Sequence, residues 1–253
     1  MKIRTEVHSA AAVVIIDYPE RRNALSPQLM RDLLGALEDA GRDRGVCGIV
    51  LTGEGAFSAG GDIKQMSRRL TATEAEGIDP VYRQLIMGLL DLPVPTVAAI
   101  DGPAVGLGFD LALACDSRFI GPQGWCRHGW SRIGILPGSG GIALLQRCSP
   151  GALWKLIDGE PTIDGPTAER LGLAEAVLSQ TARERAIERI NTYASIPRPT
   201  LEAYVTLDRA DLKQRLPAHF DAVGALQQPL LESDAFHDRL RQRVQPAPAD
   251  PPN

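Results

Sequence analysis

The sequence lacks any Cys-x-x-Cys pair; its four cysteines, Cys47, Cys115, Cys126 and Cys148, are scattered singly. A zinc ribbon or a dithiol redox motif needs two thiols within one turn of each other, so both are excluded and four reduced thiols are expected. Long apolar runs are also missing. In the opening stretch only Ala11 to Ile16 is continuously apolar, with charged residues before it, too short for a signal-peptide core or a membrane span. A cytoplasmic chain with no membrane partner is the expectation. Nor is there an excess of one charge: 27 basic and 31 acidic residues are mixed along the chain, so no face for nucleic acid is expected.

What is present is enough hydrophobic sequence, 44% of 253 residues, for a core domain with a smaller helical appendage. Three β-branched runs, Val13 to Ile16, Ile49 to Thr52 and Thr96 to Ile100, alternate with segments of helical spacing, which predicts an α/β core with buried strands. The first helix is marked by Ser26 as cap, Pro27 in its first turn and an apolar stripe of Leu29, Met30, Leu33, Leu34 and Leu37. A second helical stretch follows Pro80 and stops at Leu92-Pro93-Val94-Pro95, where prolines force extended backbone. Beyond Gly165 strand-like runs become scarce, and amphipathic stretches Ala182 to Tyr193 and Leu230 to Val244 take over. These patterns divide the chain into a core over 1–195, a helical region over 196–245, and a proline-rich, disordered tail over 246–253.

Two glycine-rich segments stand beside strand-like runs: Gly53 to Lys64, and Ile100 to Asp116. Neither fits a phosphate-binding fingerprint, because the first lacks Gly-Lys-Ser/Thr and Gly106-Leu-Gly108 is followed by Leu111 where a third glycine belongs. The second segment turns into a helix near Leu107, whose first N–H groups lack intrahelical acceptors and can face an anion. With the N–H of Gly61 they would form a donor pair for one developing oxyanion, an arrangement that contributes roughly 3 kcal/mol per donor. The plainer alternative is a pair of tight turns at the ends of buried strands.

Four motifs together carry a resemblance: Pro19-Glu-Arg-Arg-Asn-Ala-Leu-Ser26, Ala56-Phe-Ser-Ala-Gly-Gly-Asp-Ile-Lys64, the Ile100 to Asp116 segment, and Gly134-Ile-Leu-Pro-Gly-Ser-Gly-Gly141. In order and spacing they resemble the crotonase (enoyl-CoA hydratase/isomerase) superfamily, and the stretch Trp154 to Val177 extends the likeness over nearly the whole chain. The resemblance implies a crotonase-like α/β fold of repeated ββα units, two roughly perpendicular sheets and a helical C-terminal trimerisation region. It further implies homotrimers or hexamers built as dimers of trimers. The substrate would be an acyl-CoA thioester, with coenzyme A entering as part of the substrate and no permanently bound cofactor or metal. By position, Gly61 and Leu107 would donate their N–H groups to the thioester oxygen. Ala59, Asp62, Ile63 and Lys64 would wrap the adenine and pantetheine, with Lys64 offsetting phosphate charge; a solvated lysine is the alternative for Lys64.

The departures from the family pattern concern the acid/base groups. Family hydratases use two glutamates; here the first position holds Asp110 and the second, counted without a gap between Ile120 and Pro137, holds Trp130. An aspartate still moves a proton, but an indole does not, and each such group contributes about 10² to 10⁴-fold. Shifting a double bond with one carboxylate survives that loss better than hydration does. For Asp110 the alternative is stabilisation of the helix dipole alone.

Trp130 resembles the tryptophan of the 4-chlorobenzoyl-CoA dehalogenase branch, whose nucleophilic aspartate aligns with Gly138, so dehalogenation is disfavoured. Its expected role is an apolar wall for the acyl group, or simply core. His128 is a candidate alternative base, against the expectation of a surface residue. Gly138-Ser-Gly-Gly141 lacks nucleophile-elbow spacing and reads as a helix start capped by Ser139. The expected activity is therefore double-bond isomerisation or weak hydration of an acyl-CoA. The alternatives are a non-catalytic acyl-CoA-binding protein, or an acyl-CoA or carbon–carbon bond hydrolase.

Overall fold

The computed structural model describes residues 2–62, 78–159 and 161–244. A six-stranded sheet forms its spine, in the order β1-β2-β3-β4-β6-β9. Strand β1 (Lys2–His8) runs antiparallel to β2 (Ala11–Asp17), and β3 (Gly48–Gly53), β4 (Thr96–Ile100), β6 (Ser117–Ile120) and β9 (Glu175–Ala176) follow in parallel register. The three β-branched runs of the sequence are the buried centres of β2, β3 and β4. A second sheet of three short strands, β5 (Pro103–Val105), β7 (Trp125–Arg127) and β8 (Ile163–Asp164), lies beyond the end of β4.

Successive residues of β2 serve opposite cores, as the period of two requires. Ala12, Val14 and Ile16 pack in the large core with α1 (Pro27–Arg42) and α2 (Ile78–Asp91), while Ala11, Val13 and Ile15 pack with α7 (Ala182–Thr192). Helix α1 begins as its sequence predicts: Ser26 Oγ accepts the Leu29 N–H at 3.2 Å, and Leu29, Met30, Leu33 and Leu37 are buried. Leu34 is only half-buried. The N-terminus of α7 is held by a capping box between Thr181 and Glu184. The Asp101 carboxylate also accepts the N–H groups of Ala182 at 2.6 Å and Arg183 at 3.0 Å, placing negative charge at a helix start.

Four short helices are interleaved with the later strands: α3 (Leu107–Ala114) precedes β6, α4 (Gly141–Cys148) and α5 (Ala152–Ile157) lie between β7 and β8, and α6 (Gly165–Arg170) lies between β8 and β9. The C-terminal portion departs from expectation in one respect. A single helix, α8 (Arg198–Leu231), runs 34 residues with Pro217 and Pro229 inside it. Its buried stripe, Leu201, Val205, Arg209, Leu212, Leu216, Phe220, Val223 and Gln227, keeps helical spacing but contains two polar members. The expected stretch from Leu230 to Val244 is split, because α8 ends at Leu231 and α9 (Asp234–Val244) starts afresh after Ser233, whose Oγ accepts the Phe236 N–H at 3.3 Å.

Arg209 ties α8 to the core. It is 1% exposed, donates to Asp116 Oδ1 at 2.8 Å and Oδ2 at 2.5 Å, and also donates to the carbonyls of Leu92 at 2.7 Å and Val94 at 3.0 Å. Those carbonyls lie on the Pro93–Pro95 connection, where extended backbone has lost its helical donors. Cys115 and Cys126 are buried, which pushes both thiols up to about 12 and leaves them inert. No helix among the described residues is long and apolar enough to cross a membrane. The proline-rich tail over 246–253 lies outside the described residues.

Candidate active site

The segment after β3 is stretched between two neighbours. On one side Leu25 N–H donates to Gly60 O at 2.8 Å and Asp62 N–H to Leu25 O at 3.3 Å; on the other, Val105 N–H donates to Ser58 O at 3.0 Å. Asn23, fully buried, braces it: its Nδ2 donates to Ala56 O at 2.5 Å, and its carbonyl accepts Ser58 Oγ at 2.8 Å. Ser58 Oγ in turn accepts the Gly60 N–H at 3.1 Å. Asn23 lies within the first quoted motif, yet nothing in local spacing assigned it this bracing part.

Gly60 has φ of +89°, and a Cβ there would stand 2.5 Å from Val105 O and 3.3 Å from Leu107 N. Glycine is thus what allows the Gly60-Gly61 backbone to lie beside the start of α3. The first backbone bond within that helix runs from Asp110 N–H to Gly106 O at 2.9 Å. The N–H groups of Gly61, Leu107, Gly108 and Phe109 therefore make no backbone hydrogen bond among the described residues. Open donors at a helix start beside an open donor on a neighbouring segment suit an oxygen that gains negative charge.

One turn into α3, Asp110 is buried, 1% exposed. Its Oδ2 accepts the Trp130 indole N–H at 2.8 Å and the Ser139 hydroxyl at 2.5 Å. Burial raises its pKa to about 7, against the two donors, which favour the ionised form. A carboxyl balanced near neutrality both takes and returns a proton at working pH.

Three expectations need correction. Ser139 does not cap α4: Gly140, at φ of 82°, occupies that place without a side-chain bond, and Ser139 turns inward to Asp110. Trp130 is buried and contributes a hydrogen bond to the carboxylate, so it is more than an apolar wall. The surface alternative for His128 fails, because this residue is buried just after β7.

The remaining expected positions divide. Ala59 is half-buried and donates its N–H to Arg22 O at 2.8 Å, and Asp62 pairs with Arg21 at 3.2 Å. Ile63 and Lys64 lie outside the described residues.

Solved structures share this architecture over almost their full length. An enoyl-CoA hydratase/isomerase from Mycobacterium paratuberculosis superposes with a TM-score of 0.86 at 21% identity, covering 95% of this chain and 98% of that one. An enoyl-CoA hydratase from Bacillus halodurans gives 0.84 at 24% identity, covering 96% and 100%. The architecture is the crotonase fold. The family model described as enoyl-CoA hydratase/isomerase matches residues 6–242, and the chain belongs to that family.

Among curated relatives, mitochondrial methylglutaconyl-CoA hydratase of Mus musculus is 34% identical over 187 residues, 73% of this chain and 59% of that protein. The mitochondrial enoyl-CoA hydratase domain-containing protein 2 of Bos taurus is 34% identical over 178 residues, 69% of this chain and 60% of that protein. The match thus spans about three fifths of the length of these relatives.

Proposed function

We propose that this chain moves a proton on an acyl-CoA thioester, shifting a double bond, with Asp110 as the single proton carrier. The N–H groups of Gly61 and Leu107 hold the thioester oxygen. The Asp110 carboxylate takes a proton from the carbon next to the carbonyl, the electron pair spreads into an enolate held by the two N–H groups, and the protonated carboxyl returns the proton further along the chain. No water enters, so the reaction needs no second carboxylate.

One observation supports this reading above the others: a buried carboxyl with pKa near 7, one helical turn from open backbone donors. Hydration, the activity for which the relatives are named, is expected to be weak here, because Trp130 stands where a second acid/base group would sit. His128 is kept as a subordinate candidate base. Coenzyme A enters as part of the substrate, contacted by Ala59, Asp62, Ile63 and Lys64, while Trp130 walls the acyl group.

We further place the protein in the cytoplasm as a homotrimer or hexamer. Exposed Tyr204, Leu207 and Leu226 on α8 support such an assembly.

The test is a panel of enoyl-, dienoyl- and saturated acyl-CoAs in deuterated water, with product mass and double-bond position read together. Isomerised product, absent with Asp110→Asn, is the expected result, with deuterium entering to the extent that the protonated carboxyl exchanges with solvent before it returns its proton. Turnover unchanged in Asp110→Asn would remove the assigned role. The near-complete burial of Asp110 favours a second reading, a non-catalytic acyl-CoA-binding protein. That reading gains if thioesters bind without exchange or product. Release of free coenzyme A or of a cleavage product would instead point to hydrolysis.

A further inference from the structure

Both hydrogen bonds received by the Asp110 carboxylate end on the same oxygen. Trp130 Nε1 and Ser139 Oγ donate to Oδ2 at 2.8 and 2.5 Å, and Oδ1 receives no hydrogen bond among the described residues. The donors arrive from two different segments, Trp130 from the start of a short 3-10 turn over Ser131–Ile133 and Ser139 from the loop before α4. All three side chains are buried. The indole is braced in its turn: its Cε2 lies 3.7 Å from where a Cβ of Gly106 would stand, so the ring is seated against the residue that precedes Leu107.

We propose that Trp130 and Ser139 are positioning residues that clamp Asp110 by Oδ2 and so assign proton transfer to Oδ1. The assignment rests on the proton-carrier reading of Asp110 given above. Two donors on one oxygen fix the plane and rotation of a short side chain, which a single bond leaves free to pivot. They also stabilise the ionised form, partly offsetting the cost of burial. No ionised side chain among the described residues contributes to the titration of this carboxyl, so the two donors are what oppose burial. Trp130 thereby acquires a part in the chemistry although it carries no proton to substrate.

The experiment compares wild type, Trp130→Phe, Ser139→Ala and Asp110→Asn in exchange of thioester α-protons with deuterated solvent, as a function of pH. Loss of either donor removes a bond to the ionised form, so Asp110 gives up its proton at higher pH. The acid limb of the kcat/KM profile is expected to move up by about one pH unit in both variants. With the limb, kcat should fall about tenfold while KM changes little. A merely structural role would lower folded protein without moving the limb.

Ser139→Ala removes one oxygen atom and decides the question should Trp130→Phe fold poorly. Exchange that is lost in Asp110→Asn but keeps its wild-type limb in folded Ser139→Ala would overturn the clamp and leave the carrier reading standing. Absence of both exchange and isomerisation in wild type would remove both.

Discussion

Gly141 lies directly against the Asp110 carboxyl: a Cβ at that position would stand 2.3 Å from Oδ1 and 2.6 Å from Cγ. The first residue of α4 thus has to be glycine for Asp110 to keep its place, although a helix start tolerates most residues. Gly141→Ala should displace the carboxyl and break its bonds to Trp130 and Ser139. We expect α-proton exchange to fall about 10²-fold, the low end of what an acid/base group contributes, with circular dichroism unchanged. Wild-type exchange in a folded Gly141→Ala would mean that the site accommodates the methyl group elsewhere.

The carboxyl of Asp110 titrates near 7 in the fold, against 3.8 for an ordinary aspartate. Folding therefore takes up a proton between those values, and stability contributed by the neutral carboxyl is present below about pH 4 and lost as pH rises through 7. The shift corresponds to a penalty of roughly 4 kcal/mol above pH 7. Asp110→Asn carries no such penalty. Urea unfolding should show the variant gaining on wild type as pH is raised from about 5 to about 8, while exchange activity of wild type rises over the same range. A constant difference between the two proteins would contradict the raised pKa.

Arg209 is expected to matter for folding rather than chemistry. Burial raises the Asp116 pKa, but the hydrogen bonds and charge of Arg209 overcome this and hold the carboxyl below its ordinary value. Arg209→Met strips that carboxylate of its guanidinium partner, leaving it the Thr96 N–H and hydroxyl, and takes the Arg209 donor from the Leu92 and Val94 carbonyls. Breaking a buried pair in this way costs about 3 to 5 kcal/mol. Because the lowered pKa stabilises the fold above the ordinary aspartate value and that stability is lost as pH falls, the gap should shrink in acid. Equal unfolding midpoints for variant and wild type at neutral pH would show that the Arg209–Asp116 pair contributes nothing.

Gly60→Ala probes the approach of the two donor segments. The added methyl would press on Val105 O and impose a φ of +89° on alanine, conditions that cost about 1 to 3 kcal/mol. The segments should separate, so calorimetry is expected to read weakened binding of an acyl-CoA thioester, with a smaller effect on free coenzyme A. Equal loss for both ligands would place the damage outside the donor pair.

Much of this was legible in the chain itself. The β-branched runs became the central strands and Ser26 capped α1, because these features depend on neighbours within a few residues. The order of four motifs spread from Pro19 to Gly141 identified the family, and the three that bear glycine mark backbone approaches that other residues obstruct. That 196–245 is helical was legible, but not that α8 runs unbroken through Pro217 and Pro229, since proline ordinarily interrupts a helix and Arg209 and Gln227 interrupt the apolar stripe. Its continuity follows from what the stripe packs against.

The sequence by itself determined the strands, the first helix and the placing of Asp110 three residues after Leu107, all properties of short-range spacing. Only the tertiary structure decided what Asp110 meets. Trp130 and Ser139 come from positions 20 and 29 residues further on, and the indole and hydroxyl turn inward because a buried carboxyl needs donors and water is excluded. That demand acts through space, so periodicity along the chain carries no trace of it.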